Sequence, residues 1–187
     1  MIPKQVEDDE ASDPLSDPTR YYGKYRGTVV NNVDLKGLGR IQALVPDVQA
    51  FNPITWALPC LPVAGKKSGA FFVPEKGAKV WIEFEQGDPD YPIWTGCFWG
   101  LKVELPEMGI TSPPLTPNMV FQTTGQNSIT VMGTPGGGLI LCAGPLASPT
   151  SPRIVISQAG IVITNGQASI TLAGPTVDIN KGGLTVT

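Results

Sequence analysis

The last third of the chain consists of short apolar pairs, each separated from the next by a few small or polar residues. The pairs begin 7, 9, 7 and 7 residues apart. They are Ile154/Ile156, Ile161/Ile163, Ile170/Leu172, Val177/Ile179 and Leu184/Val186. Glycine recurs in the intervals, at Gly160, Gly166, Gly174 and Gly182. Because side chains alternate along a strand, each pair places two apolar groups on one face of a strand of four or five residues.

Strands this short cannot shield both faces and both edges within one chain. Residues 127–187 hold only three charged side chains, Arg153, Asp178 and Lys181, so they lack the polar outer face of an ordinary β-sandwich. Repeats of this kind gain stability by stacking. We therefore predict a β-helix over residues 127–187, shared among chains so that each strand finds its edge partners on neighbouring chains. Half of a β-sandwich is the alternative.

Residues 21–100 read as short β-rich runs separated by Gly, Pro, Asn and Asp. A strand is predicted near residues 23–31, and further strands over residues 39–45, 55–58 and 69–73. In the second of these, Ile41, Ala43 and Val45 share one face. We predict that these runs are β-strands of a single small domain.

The clearest strand begins at Lys79, where Val80, Ile82 and Phe84 alternate with Trp81, Glu83 and Glu85. The turn residues 87–90 end it, and residues 91–99 are predicted to return antiparallel. About five strands with no helix suit a small closed barrel such as an OB-fold. The sequence thus predicts an all-β protein.

Two stretches lack such patterns. Residues 1–20 contain six acidic residues against Lys4 and Arg20, and no aromatic residue, so they are predicted to form a flexible acidic tail. Residues 101–126 are rich in proline and are predicted to connect the two β-regions, either as an extended linker or as part of the repeats.

The composition excludes several chemistries. The chain has no histidine, so a Ser/His/Asp or Cys/His catalytic arrangement is impossible. The cysteines Cys60, Cys97 and Cys142 are far apart and predict neither a disulfide framework nor a zinc site, but buried free thiols. We predict no catalytic, cofactor-binding or metal-binding residues.

Two acidic pairs could be proposed as general acid and base. Glu83 and Glu85 fit better as the solvated face of one strand, and Asp88 and Asp90 as turn residues flanking Pro89. A net charge of −3, with acids directly following the lysines near Lys79, argues against nucleic-acid binding. No apolar stretch is long enough for a membrane helix or a signal peptide.

Two motifs carry a family resemblance. They are the run Gly37-Leu-Gly-Arg-Ile-Gln-Ala-Leu-Val-Pro and the pattern Gly-x-x-Val-x-Ile-x-Phe-x-x-Gly-Asp-Pro-Asp-x-Pro at residues 77–92. Followed by the apolar repeats, they resemble the central spike proteins of contractile injection systems. These include phage baseplate assembly protein V and the VgrG spike of type VI secretion.

The resemblance implies a homotrimer in which an OB-fold collar, residues 21–100, precedes an intertwined triple-stranded β-helix needle. It implies a structural collar hairpin built on Gly77, Gly87, Asp88, Pro89, Asp90 and Gly96. The apolar pairs from Ile154 to Val186 would form the needle core, and Thr185, Val186 and Thr187 the tip contact.

The resemblance also implies partners. A type VI spike carries a large hub domain ahead of its OB-fold, so here the hub is expected to be a separate baseplate protein. Without the His-x-His motif of iron-binding apices, the needle is expected to end bluntly, under a small tip protein of the PAAR-repeat type. Effector cargo and transient contact with the target membrane are further expectations.

The expected function is mechanical: a spike driven through an envelope, made in the cytoplasm and assembled into the baseplate of a virion or injection particle. An enzyme is not expected. The alternative is an OB-fold binding module for single-stranded nucleic acid or a glycan, with the repeats as an oligomerisation stalk.

Overall fold

The structure, a computed structural model, describes residues 20–110 and 115–186. The chain divides into two compact units between Gly100 and Leu101. Of the predicted acidic tail, residues 1–20, only Arg20 is among the described residues.

Residues 20–100, the described part of the first unit, contain seven strands and one 3₁₀ turn. The strands are β1 (Tyr25–Asn31), β2 (Gln42–Leu44), β3 (Leu58–Pro59), β4 (Ala64–Gly65), β5 (Ser68–Gly69), β6 (Lys79–Phe84) and β7 (Pro92–Phe98), and the turn covers Glu85–Gly87.

Five of these strands form one curled sheet in the order β2-β1-β6-β7-β3. β3 runs parallel to β7, and all other neighbours are antiparallel. Two isolated bridges, Ile41 to Ala57 and Leu44 to Pro53, join the two ends of the sheet. The sheet therefore closes into a five-stranded barrel of the OB type, as the sequence predicted.

The barrel core confirms the predicted alternation. Ile41, Ala43 and Val45 are completely buried, and Val80, Ile82 and Phe84 lie in the same cluster. Each such aliphatic side chain contributes roughly 1.5–3 kcal/mol by leaving water. The core thus comes from every second residue of short strands.

The run at residues 69–73 does not form the predicted strand. Of this run, only Gly69 belongs to a strand: β5 (Ser68–Gly69) forms a small hairpin with β4 (Ala64–Gly65). Because β2 and β3 already close the barrel, the residues that follow have no free edge to pair with. Phe71 and Phe72 are left exposed.

The second unit begins with a 3₁₀ turn (Lys102–Glu104) and a single-turn helix, α1 (Glu107–Ile110). Eight strands follow: β8 (Met119–Gln122), β9 (Ser128–Val131), β10 (Leu139–Cys142), β11 (Arg153–Ser157), β12 (Gly160–Thr164), β13 (Ser169–Ala173), β14 (Thr176–Ile179) and β15 (Leu184–Val186). They form one sheet in which each strand pairs antiparallel with the next along the chain.

This pairing differs from the expectation that each strand finds its edge partners on neighbouring chains. Among the described residues, strands β9 to β14 are paired on both edges within the chain. The physical reason is the short interval between repeats, since a few turn residues can join only adjacent antiparallel strands. β8 also lies inside the stretch predicted as a connector, so residues 119–122 join the repeats.

Candidate assembly interface

The strand register collects the apolar pairs of the second unit on one face of its sheet. Ile156 lies opposite Ile161, and Ile154 lies opposite Ile163. Directly opposed residues share a face, so successive pairings build two rows that cross the sheet from β10 to β15. One row is Leu139, Ile156, Ile161, Leu172, Val177 and Val186; the other is Leu141, Ile154, Ile163, Ile170, Ile179 and Leu184.

The two rows contain all ten residues predicted as the needle core. They continue into β9 and β8 through Val131, Ile129, Met119 and Phe121. We call this surface the apolar face.

The apolar face is open in the single chain. In β9, Ile129 is 49% exposed although the neighbouring Thr130 is completely buried. The same exposure of large apolar side chains recurs along the sheet at Ile156, Ile163, Ile170 and Leu172. A contiguous apolar surface of this kind marks an interface with another protein.

The opposite face carries a mixed row. Across the sheet from β9 it reads Thr130, Ile140, Val155, Val162, Thr171, Asp178 and Thr185. Hydroxyl and carboxylate groups interrupt the aliphatic ones, and Thr130 in this row is completely buried. The two faces thus differ in composition, since the apolar face carries aliphatic side chains without interruption from β10 to β14.

Glycine permits the close approach of neighbouring strands. A Cβ at Gly160 would lie 2.1 Å from the carbonyl oxygen of Leu172, and one at Gly138 would lie 1.8 Å from that of Ile156. Both glycines also have positive φ angles, +138° and +82°. Only a hydrogen atom fits at these positions.

Polar contacts join successive turns along the side of the sheet. The side-chain oxygen of Asn127 accepts a hydrogen bond from the backbone N–H of Gly144 at 2.9 Å. Arg153 donates to the carbonyl oxygens of Leu146 and Ser148. The Asn127 bond thus joins the β8–β9 turn to the β10–β11 turn, two strands apart, whereas Arg153 binds the turn directly before its own strand.

The predicted tip contact lies at the last strand. Thr185 and Val186 belong to β15, which forms one edge of the sheet. Thr187 lies outside the described residues.

The structure distributes the predicted collar residues over three places in the barrel. Gly87, Asp88, Pro89 and Asp90 form the turn between β6 and β7. Gly77 lies just before β6, at the other end of that strand, and Gly96 lies opposite Trp81 at a β-bulge in β7.

The β6–β7 turn is bound to the start of the barrel. Asp88 accepts the backbone N–H of Asp90 at 3.0 Å and a hydrogen bond from Arg20 at 3.4 Å. The backbone N–H of Tyr21 donates to the carbonyl oxygen of Gly87 at 2.8 Å. The Asp88 carboxylate therefore holds the turn together and binds it to the start of the barrel, as a turn former does.

Residues 34–40 form a strongly organised polar loop, which includes the first residues of the run that begins at Gly37; the role of Asp34 in it was not predicted. Asp34 accepts backbone N–H groups from Lys36, Leu38 and Arg40, and forms an ion pair with the Arg40 guanidinium. The Arg40 side chain holds the pKa of Asp34 well below its usual range. The signal in the sequence was an aspartate followed by glycines three and five residues later.

Side chains that could serve as a catalytic acid or a base-stacking surface make contacts within the barrel instead. Glu83 pairs with Lys24 at 2.7 Å. Arg26 stacks over the rings of Trp81 and Phe98, whose centroids are 4.7 Å apart. The Arg26 side chain therefore covers the aromatic surface on which a nucleic-acid base would otherwise stack at this position.

The described part of the chain contains no cluster of metal ligands and no disulfide. No group of three or more potential ligands lies close enough together there to hold a metal ion. All three cysteines are free; Cys142 is buried as predicted, but Cys60 and Cys97 are exposed. Burial of part of its side chain still raises the pKa of Cys97.

Two family models match the chain. Residues 25–99 match the type VI secretion system/phage-baseplate injector OB domain. Residues 118–185 match the phage baseplate V C-terminal trimerisation domain. The chain belongs to the phage baseplate V family. No curated protein matches it.

Membership of the baseplate V family gives the chain a structural role in the baseplate or spike of a phage or type VI-like system. The trimerisation domain makes it a homotrimer, assembled into a virion or injection particle. Within residues 20–110 and 115–186, no helix has the length and apolar character needed to span a bilayer.

Proposed function

We propose that this chain is the membrane-puncturing spike of its baseplate, with residues 21–100 as the collar and the C-terminal repeats as the needle. The observation that carries the proposal is the apolar face: two unbroken rows of large aliphatic residues on a sheet whose internal strands, β9 to β14, are paired on both edges within the chain. Three such sheets, each turning this face inward, would enclose one apolar core. The ten predicted core residues are those that line it.

The arrangement suits a mechanical load. Every internal strand is hydrogen-bonded on both edges within its own chain, so load on the needle is resisted by backbone ladders as well as by packing between chains. Many contacts must then fail together before the needle unravels, which slows unfolding. With few charged groups on the repeats, little hydration is lost when the needle enters an apolar layer.

The partners follow from the two ends of the proposed spike. The amino end of the barrel, with the β6–β7 turn bound to Tyr21 and Arg20, is the candidate contact for a separate hub protein. β15 is an edge strand, and an unpaired edge can accept a further strand. It is the candidate contact for a PAAR-type tip protein, and effector cargo would travel on that tip.

The first test is the native mass of the full chain by light scattering. The proposal predicts about 60 kDa, three times the chain mass of 19.8 kDa. The trimer should also resist dissociation by detergent without heating. A monomer would contradict both the proposed needle core and the proposed function.

Tip binding is tested separately, with a purified PAAR-repeat protein. Thr185→Lys should abolish capture, because it places a charge in the β15 edge. Lys181→Gln, in the adjoining turn, should leave capture unchanged. Equal capture by both variants would contradict the tip assignment.

A further inference from the structure

One end of the barrel exposes a cluster of large apolar side chains. β1 and β7 run in the same direction, because each is antiparallel to β6, and Thr28, Lys79 and Phe98 lie in one row across the three strands. Asn31 and Gly100 therefore lie toward the same end, which we call the carboxyl end of the barrel. Its exposed apolar residues include Val33, Leu35, Leu38, Phe71 and Phe72.

Two segments bring these residues together. The side-chain amide of Asn32 donates to the carbonyl oxygen of Pro74 at 3.1 Å, which ties the β1–β2 loop to the segment before β6. At Gly39, an added Cβ would lie 3.2 Å from the Phe71 ring. The two segments thus form one surface, the carboxyl-end patch.

The loop cannot turn its leucines inward. Asp34 accepts the backbone N–H groups of Lys36 and Leu38 at 3.0 and 2.9 Å, which fixes the backbone on both sides of the loop tip. The indole N–H of Trp94 donates to the carbonyl oxygen of Gly39 at 3.1 Å. Leu35 is consequently held 98% exposed by a rigid loop.

Lysines surround the patch. Lys36 lies in the loop itself, Lys66 and Lys67 form the β4–β5 turn, and Lys76 lies shortly before β6; all four are exposed. Arg40 is neutralised by Asp34. Glu75, next to Lys76, is also exposed, so the four lysines still leave this end of the barrel with excess positive charge beside its exposed apolar side chains.

We propose that the carboxyl-end patch binds the surface of an anionic lipid bilayer. Apolar side chains at the tip of a rigid loop reach the boundary between headgroups and acyl chains, and neighbouring lysines are attracted to anionic headgroups. A second copy of the barrel is a poorer occupant, because it would bring two sets of lysines together. A trimer contains three such patches, so weak individual contacts would add up through avidity.

The inference rests on the proposed function in one respect: a spike that crosses an envelope brings its barrel to a lipid surface. Needle and patch are nevertheless separable. The needle carries few charges, so a contact made by the needle would depend little on salt, whereas the patch requires anionic lipid.

The test is flotation of the full chain with vesicles of phosphatidylcholine, with or without about one-third phosphatidylglycerol. The full chain should float with the anionic vesicles at low salt, and neither with neutral vesicles nor at about 0.5 M salt. Leu35→Ser should weaken binding about tenfold or more, since burying a leucine has that order of effect on an equilibrium constant.

Two matched controls accompany these variants. Phe51 is 92% exposed but lies toward the opposite end of the barrel, after β2 has run antiparallel to β1, so Phe51→Ser should float like the parent. Lys66→Gln with Lys67→Gln should weaken binding, and Lys181→Gln in the other unit should not.

The contrary outcomes are distinct. A trimer that does not float with anionic vesicles overturns the inference, as does a Leu35→Ser variant that floats like the parent. If Leu35→Ser lowers the native mass, the patch is a contact between copies and the inference is again wrong. A parent chain that is monomeric by light scattering overturns the proposed function, whatever its lipid binding.

Discussion

Ile156 and Ile161 lie directly opposite one another in neighbouring strands, on the apolar face of the C-terminal sheet. Ile156 is 41% exposed in the single chain. Both strands are hydrogen-bonded on both edges within the chain, so the part of this sheet that remains exposed is its apolar face and not a strand edge. The repeated apolar pairs in the sequence therefore predict an assembly in which this face is covered.

Ile163 and Val162 provide a matched test of which face is covered. They are adjacent in β12, so their side chains point to opposite faces. Ile163→Asp should abolish the trimer, because three carboxylates would have to be buried without partners. Val162→Asp lies in the row that already contains Asp178, and should keep the trimer.

Light scattering at several protein concentrations measures this difference. Circular dichroism of both variants checks that the β-structure is retained. Loss of the trimer in both variants, or in Val162→Asp alone, would contradict an inward-turned apolar face.

Gly160 provides a test of the close strand approach. Gly160→Ala places a Cβ 2.1 Å from the Leu172 carbonyl oxygen, so the β12–β13 ladder must shift. We expect a loss of more than about 2 kcal/mol in the free energy of unfolding. Gly174→Ala is the control: its φ of +54° makes the change unfavourable by about 1–2 kcal/mol, but nothing lies within 4 Å of the added carbon. Thermal unfolding of both variants should place Gly160→Ala well below Gly174→Ala, and the reverse order would contradict the packing.

Ile82 provides a test of the barrel core. It is completely buried, and Ile82→Ala should cost about 2–5 kcal/mol of barrel stability through lost burial and a residual cavity. Val33→Ala, at a site 68% exposed, should change stability by less than about 0.5 kcal/mol. Denaturant unfolding followed by tryptophan fluorescence reports on the barrel, since Trp94 lies in the same core. Equal midpoints for the two variants would show that Ile82 does not lie in a packed core.

Periodicity predicted the elements in which one face is buried or apolar throughout. The alternation from Val80 to Phe84 predicted β6, and the pairs from Ile154 onward predicted strands β11 to β15. In each case a single two-residue period determines both the extended backbone and the face. Local pattern was sufficient there.

The pattern failed where the outcome depended on distant residues. The run around Phe71 had strand-like composition but found no free edge once the barrel had closed. The pairing of the repeat strands was also not predicted, since an apolar pair does not state which strand lies beside it; among the described residues each strand pairs with the next along the chain. The Asp34 loop was missed because its order comes from an ion pair across six residues, which has no periodic signal.

Asp34 gives the barrel a defined dependence on pH. In the folded chain, the Arg40 guanidinium and the loop N–H groups stabilise the ionised carboxylate, so its folded pKa lies well below the unfolded value of about 3.9. A group with a lowered folded pKa stabilises the protein above its unfolded pKa, and this stability is lost as the pH falls through the folded pKa. Barrel stability should therefore fall steadily below about pH 4.

Asp34→Asn should lower the melting temperature at neutral pH and flatten this acid dependence, because the variant has no carboxylate to protonate. Asp47→Asn, at an exposed turn, should follow the parent curve. Melting temperatures between neutral pH and about pH 2.5 measure the difference, and parallel curves for Asp34→Asn and the parent would show that the Asp34–Arg40 pair does not stabilise the loop.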